Sequence, residues 1–417
     1  MNLPGPSWKF RPRFLYTLLV TAGLLVFALS PGTLNRKLGL IDYGVWFLDS
    51  YAILASNDAV QAGLDPDQHN PLDIFGRPHS YSDWWFVLGR LGLTRADNFV
   101  VGGSWVAAFL LSTFVVVRLR NNREAVWNAC ILLSPPVLLA INRANNDLVV
   151  FVLLAIAGFV LRRAAAWRLG LALGAIALAT GLKFYPVVAA AVFLLVRPPR
   201  RLLAISASAS LVLLLVLADI WNTLGRGVFA MPVNVYTLGA PILLKDLGWE
   251  GHGALVAGVV LLTGAAGWLA FSRRTTGLAE PEADHSGRLF FVLGSVVLVA
   301  CFLTGISHAY RWIFALMIAP WLWQEARTPA NPPVRRRLAR LTGWLMMTAL
   351  WMDGFFCLGV NLFFAPVPAG ILDQWQFIWR LFTQPLIWLF MALLAGWLLE
   401  LLLVTWGEVR AGLRGAR

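Results

Sequence analysis

The sequence predicts an all-helical, polytopic integral membrane protein, and three observations carry that prediction. Of the 417 residues, 59% are hydrophobic and 13% charged, a balance outside that of soluble globular chains. Apolar runs of about 20 residues, each long enough to cross a hydrocarbon core of about 30 Å, recur along most of the chain. The basic residues are also placed unevenly: with the N-terminus inside, 23 of the 34 Lys and Arg fall in inner segments, the positive-inside pattern. The net charge of +13 is therefore a sign of topology, and no nucleic acid partner is expected.

Twelve spans are expected, at 14–30, 98–117, 125–141, 147–161, 169–182, 185–196, 202–221, 253–271, 289–304, 312–325, 341–361 and 377–404. Residues 1–13 form a short basic tail. The first apolar run is expected to stay as an uncleaved anchor, because Pro31 follows the small-residue site Ala28-Leu29-Ser30. The loop 31–97, the first extracytoplasmic loop, carries eight of the 21 acidic residues together with Pro66, Pro71, Pro78, Trp84 and Trp85. It is too long for a simple connector and is expected to fold onto the membrane, with the Trp pair at headgroup level. Within it, Asp49–Ala62 reads as an amphipathic helix lying along the membrane surface, with Phe47, Tyr51 and Leu54 on one stripe and Gly63 as C-cap. The short spans 169–182 and 185–196 are expected to form a hairpin with Gly181-Leu182-Lys183-Phe184-Tyr185-Pro186 at its tip. A second outer loop runs from Asn222 to Gly251, and two inner loops, Arg273–Arg288 and Arg327–Arg340, carry no motif. With no internal repeat and no soluble segment, 1–417 reads as one domain in a bacterial-type plasma membrane, both termini cytoplasmic. Cys130, Cys301 and Cys357 sit in apolar runs and form no disulfide or zinc pattern.

Polar residues that the membrane does not explain fall at predicted outer junctions. Asp49 and Asp58, nine positions apart, lie on opposite sides of the Asp49–Ala62 helix at about 100° per residue, so only one can face a shared pocket. Asp49 is either the N-cap of that helix or a carboxylate whose pKa is raised by Trp46, Phe47 and Tyr51. Arg143, Asn145, Asn146 and Asp147 are either a capped turn or an anion and hydroxyl site at a helix N-terminus. Lys183 is a snorkelling lysine or a phosphate contact beside Tyr185, and Arg311, next to Tyr310 and Trp312, an interfacial anchor or a second phosphate contact. Asp353 and Arg380 are intramembrane charges with no partner evident in the sequence. His69 and His79 with the nearby Asp residues match no ligand spacing, so no metal and no cofactor are expected.

These stretches, taken in order, resemble the DUF2029 family, glycosyltransferase family 87 of the GT-C class. Asp49 stands fourteen residues before Gly63, which opens Gly-Leu-Asp65-Pro66, as in the family's G-x-D-P-Y-like motif, with Asp67 in place of Tyr. Arg143-Ala144-Asn145-Asn146-Asp147 resembles R-G-N-x-D, with Ala144 where Gly is usual; Lys183-Phe184-Tyr185-Pro186 matches K-x-Y-P; Tyr310-Arg311 opens a Y-R-x-x-F-like run. The resemblance implies a GT-C fold and transfer of a sugar from a polyprenyl-phosphate donor to a hydroxyl of a glycan, glycolipid or other acceptor, with inversion. It implies Asp49 as catalytic base and Arg143, Asn145, Asn146, Asp147, Lys183, Tyr185, Tyr310 and Arg311 as substrate and phosphate contacts. The competing expectations are a transporter or flippase of lipid-linked sugars or solutes, against which the absence of paired halves counts, and a structural subunit whose motifs are caps and anchors.

Overall fold

The computed structural model describes residues 11–40, 45–163, 165–195, 235–249, 258–267, 285–364 and 367–415, with a few isolated positions between 206 and 256. Most of the expected span at 202–221, nearly half of loop Asn222–Gly251, most of Arg273–Arg288, and Asp42 with Gly44 lie outside the described residues.

The described chain is mostly helical. It runs through α1 (Pro12–Leu29), α2 (Leu48–Gln61), α3 (Asn98–Val116), α4 (Asn122–Leu132), α5 (Pro135–Arg143), α6 (Asp147–Val160) and α7 (Ala166–Leu182). A 3-10 segment, Tyr185–Leu195, follows; then come α8 (Ala240–Asp246), α9 (His285–Leu303), a 3-10 turn Ala309–Phe314, α10 (Ala315–Glu325), α11 (Pro333–Phe363) and α12 (Ala369–Gly415). Among the described residues four helices, or five if the bent pair α4–α5 is one span, are long and apolar enough to cross a membrane. These helices and the shorter ones close on one core that includes Tyr16, Phe109, Phe151, Phe291, Phe314 and Trp397.

Three elements differ from the sequence reading. The run 125–141 is two helices bent by 57°, because Pro135 and Pro136 after Ser134 supply no amides to continue the ladder and hold Ser134 extended. The expected span 185–196 is a 3-10 helix; at about 2.0 Å per residue its 11 residues reach about 22 Å, further than an α-helix of that length. The chain is also not purely helical: β1 (Thr237–Leu238) pairs antiparallel with β2 (Ser307–His308), and the Ala309 amide extends the ladder to the Tyr236 carbonyl.

The loop from 65 to 97 wraps α2 as a cap. Asn57 bridges it, donating to the Trp85 carbonyl at 3.2 Å and accepting from the Gly89 amide at 2.7 Å; Gln61 donates to the Gly89 carbonyl, and Arg95 reaches Asp58 at 2.6 Å. Nine residues of α2 are buried. The helix ends as its sequence suggests: Gly63, at φ +74, lets its own amide and that of Leu64 return to the Val60 and Ala59 carbonyls. Trp84 and Trp85 do not act as a matched pair. Trp85 is 3% exposed and donates to the Leu182 carbonyl at 3.1 Å, joining Ile53 and Leu182 in a small second core. The cap is thereby fastened to the tip of α7.

Asp353 and Arg380 acquire partners. Trp379 Nε1 donates to Asp353 at 3.0 Å, and Arg380 forms a two-pronged pair with Asp246 at 2.9 and 3.2 Å.

Where α11 crosses α5, a Cβ on Gly354 would sit 2.3 Å from Pro135 Cγ, a rigid ring that cannot swing away. Gly354→Val is expected to destabilise the protein by about 1–3 kcal/mol. Gly170→Ala, in open space on α7, should leave stability unchanged or raise it by up to about 1 kcal/mol. Thermal unfolding in detergent compares the two, and equal midpoints would refute the packing argument.

Candidate active site

Asp49 enters the first turn of α2 from an unusual backbone. Phe47 precedes the helix in the left-handed region (φ 64, ψ 43), its amide bonded to the Asn142 carbonyl at 2.8 Å, while Asn98 Nδ2 holds the Trp46 carbonyl at 3.0 Å. That turn points the Asp49 carboxylate inward, where it is 2% exposed. Arg143, the last residue of α5, binds it in a two-pronged pair, Nε to Oδ2 at 3.0 Å and a terminal nitrogen to Oδ1 at 2.5 Å. Asn145 Nδ2 adds a third donor at 2.6 Å. Asp49 is therefore not the N-cap of its helix.

The turn between α5 and α6 explains how Arg143 and Asn145 reach one carboxylate. Ala144 adopts φ 41, ψ 54, a conformation that costs a residue with a Cβ about 1–2 kcal/mol and glycine almost nothing. The chain reverses there, with the Asn145 amide returning to the Ala140 carbonyl. Asn145 Oδ1 then accepts the Asp147 amide at 2.9 Å, so a single side chain links the buried carboxylate to the start of α6. Asn146 occupies the N-cap position without a side-chain cap bond, and Asn145 supplies the acceptor for the first amide of α6 in its place.

Asp147, fully buried, gathers the second cluster. Its Oδ1 accepts from Lys183 Nζ and from the Tyr185 hydroxyl, the latter at 2.6 Å; its Oδ2 lies 4.0 Å from Arg311 Nε. Lys183 leaves the end of α7 in extended backbone and sits over the rings of Tyr185 and Tyr310, and Arg311 stacks 4.8 Å above Tyr185. Arg311 is thus drawn into the cluster. Asn146, also fully buried, has no hydrogen-bond partner for either side-chain polar atom among the described residues.

The residues of the four motif stretches lie at this end of the molecule, where the two clusters meet through Asn145 and Tyr310, whereas Asp353 and Arg380 do not. Asp58 faces elsewhere, paired with Arg95, as the helical spacing requires. Two neighbours, Arg77 and Tyr81, carried no sequence signal, and a third, His308, belongs to the Ser307–Trp312 junction that holds Tyr310 and Arg311. Arg77 binds Asp73 at 2.7 and 3.0 Å, reaches the Leu48 carbonyl, and adds positive potential at Asp49. Tyr81 is half-buried within electrostatic reach of Asp49 and Arg143. His308 is held by the β1–β2 pair beside Tyr310, with ring centroids 5.2 Å apart.

The expected rise in the Asp49 pKa is not what the structure gives. Burial does push the carboxyl up, but the charge and hydrogen bonds of Arg143, the Asn145 bond and the Arg77 charge outweigh it, so its pKa lies below the usual carboxylate range. Burial and the nearby Arg143 pull the His308 imidazole down to about 4, so it is neutral at pH 7. His79 stacks on Phe86 with centroids 4.6 Å apart, and among the described residues no group of three or more His, Cys, Asp or Glu is close enough to hold a metal. Comparison with known families, with characterised proteins and with solved structures finds no match.

Two consequences can be measured. Since the folded Asp49 pKa is below its unfolded value of about 3.9, the stability it contributes is fully present above about pH 4 and is lost as pH falls through the folded value. Arg143→Gln reverses the balance and leaves burial dominant: the variant should lose about 3–5 kcal/mol at pH 7. That deficit should shrink as pH falls towards 4 and Asp49 takes up a proton, so unfolding midpoints of both proteins across pH 4–8 test it, and a pH-independent deficit would contradict it. Asp147→Asn strands Lys183 without its counter-charge, whereas Asp147→Asn combined with Lys183→Met removes both charges. A double-mutant cycle is expected to give a coupling of about 0.5–3 kcal/mol, the double variant being more stable than additivity predicts.

Proposed function

We propose that this chain is an integral membrane glycosyltransferase of the GT-C class, resembling the DUF2029 family, which moves a sugar from a polyprenyl-phosphate donor to an acceptor hydroxyl. The observation that carries the reading is the convergence of four separated stretches, at Asp49, Arg143–Asp147, Lys183–Tyr185 and Tyr310–Arg311, on one buried site. On this reading the fold has about twelve spans, α2 lies along the extracytoplasmic surface, and both termini are cytoplasmic in a bacterial-type plasma membrane. At about 1.5 Å per residue, the 14 residues of α6 reach about 21 Å and the 17 of α7 about 26 Å, short of a hydrocarbon core of about 30 Å. The site at their ends is then recessed, roofed by the cap.

The charges suit a phosphate. Asp49 and Asp147 face Arg143, Lys183 and Arg311, two negative charges against three positive, and Arg311 Nε has no hydrogen-bond partner among the described residues. A donor phosphate compensates that surplus and takes up Lys183 and Arg311. Asp49 accepts three of the roughly four hydrogen bonds a carboxylate can take, one on Oδ1 and two on Oδ2, which leaves a position on Oδ1 for the acceptor hydroxyl. As the acceptor oxygen bonds to the anomeric carbon, its proton passes to Asp49, and the bond from that carbon to the phosphate oxygen breaks on the opposite face, inverting the centre. The electron pair leaves on polyprenyl phosphate, which requires cations and no acid. Asp49 is almost wholly covered, so acceptor entry requires the cap to part.

Asp49→Asn is expected to lower transfer by about 10²–10⁴-fold, with some loss of stability because Arg143 loses its counter-ion; Asp58→Asn, on the far face, should transfer at the wild-type rate. Release of polyprenyl phosphate is followed in nanodiscs with a panel of polyprenyl-phosphate sugars and acceptors. Equal effects of the two substitutions would exclude Asp49 as base, and saturable binding without turnover of any donor would favour the transporter.

A further inference from the structure

A deep groove lies away from this site. About 1430 Å³ in volume, it runs between α4, α10 and α11 and shares no residue with the Asp49 and Asp147 clusters. Along α11 its lining extends from Arg336 to Phe355, nineteen residues or about 28 Å at helical rise, close to the depth of a hydrocarbon core. Its volume exceeds the roughly 300–1,000 Å³ of small-molecule sites.

One end is basic and the rest is aromatic. Arg123, Arg327, Arg336 and Arg340 line the end formed by the start of α4, the end of α10 and the start of α11. Among the described residues none of the four is within ion-pairing distance of a carboxylate, while the adjacent Arg335 is held by Glu325 at 2.6 Å and Glu400 at 2.5 Å. The nearby Glu124 already accepts the Arg120 amide at 2.6 Å, and even counting its charge the rim keeps a surplus of three. Burial, and after it the like charges of Arg123 and Arg340, disfavour the charge of Arg327, with Glu124 acting against them. Beyond the rim, Trp127 meets Trp323 and Trp344 with centroids 5.5 and 5.3 Å apart, and Trp351 stacks on Phe355. Trp344 is 63% and Phe355 60% exposed, so the trough is open along its side. Arginines at the inner end of helices are ordinary topology signals; here they also form the mouth of a deep apolar trough, which topology does not require.

We propose that this groove binds an anionic phospholipid, its phosphate headgroup among Arg123, Arg327, Arg336 and Arg340 and an acyl chain along the tryptophan trough. The shape and charge match a molecule with one compact negative end and a long apolar body. The site stands at the opposite end of α4–α5 from Arg143, so it is separate from the donor site proposed above and does not depend on that reading.

Native mass spectrometry of the full-length protein in detergent, titrated with phosphatidylglycerol and with phosphatidylcholine of the same acyl chains, tests this. The wild type is expected to hold phosphatidylglycerol more tightly, and Arg123→Gln with Arg340→Gln should reduce that preference roughly tenfold while leaving phosphatidylcholine binding unchanged. Trp344→Ala, at an exposed position, should weaken both lipids alike. Equal affinity of the wild type for the two lipids would overturn the proposal, as would a preference that survives the arginine substitutions. Displacement of phosphatidylglycerol by inorganic phosphate alone would equally overturn it, as the mark of a soluble-anion site. Circular dichroism and unfolding midpoints confirm folding, and either single arginine variant replaces the double if that does not purify.

Discussion

A carboxylate withdrawn from water must be paired, and meeting that demand for Asp49 shapes the end of the molecule where the cap, α5 and α6 meet. An unpaired buried charge costs several kcal/mol, so the left-handed turn at Phe47, the reversal at Ala144 and the placement of Arg143 and Asn145 hold or fail together. Asp147 repeats the arrangement one turn of chain later, with Lys183 and Tyr185 supplied from the tip of α7. Asn145 serves both, since its amide group donates to one carboxylate and its oxygen caps the helix that begins with the other.

The two ends of the helix bundle treat charge differently. At the Asp49 end nearly every cation has a carboxylate, and the Asp49 and Asp147 pairs are covered, while Arg77 and Arg95 stay partly exposed. At the other end Arg335 is neutralised by two glutamates, but the arginines around the mouth of the groove are not. A paired, covered network is rigid and selective. An open cluster of like charges attracts whatever anion the surroundings present at high density, and at a membrane surface that is lipid.

How much of this was legible in the sequence follows from the range of each signal. Apolar runs are local, so several helices could be read to within a few residues, though α11 and α12 each begin eight residues before the expected span, and the glycine ending α2 declared itself by type. The site residues were visible as polar groups in apolar surroundings. Their pairing was not: Arg143 is 94 positions from Asp49, so neighbouring aromatics suggested a raised pKa where a distant guanidinium lowers it. Arg77 is a single residue in a stretch without pattern, and only the folded cap brings it in; His308 stands two positions before Tyr310 in a stretch already marked, but no pattern set it apart from its neighbours. The Pro135-Pro136 pair was in view, yet hydropathy runs smoothly through it and masked the 57° bend.

Phe47 and Ala144 are the two non-glycine residues with positive φ among the described residues, and they flank the same ion pair. The Phe47 amide is bonded to the carbonyl of Asn142, two positions before Ala144, so the two strained turns are braced against each other across one hydrogen bond. Backbone in such a state persists only where its surroundings over-determine it. The Asp49–Arg143 pair is in this sense clamped from both sides, its two arms set by turns that hold each other in place.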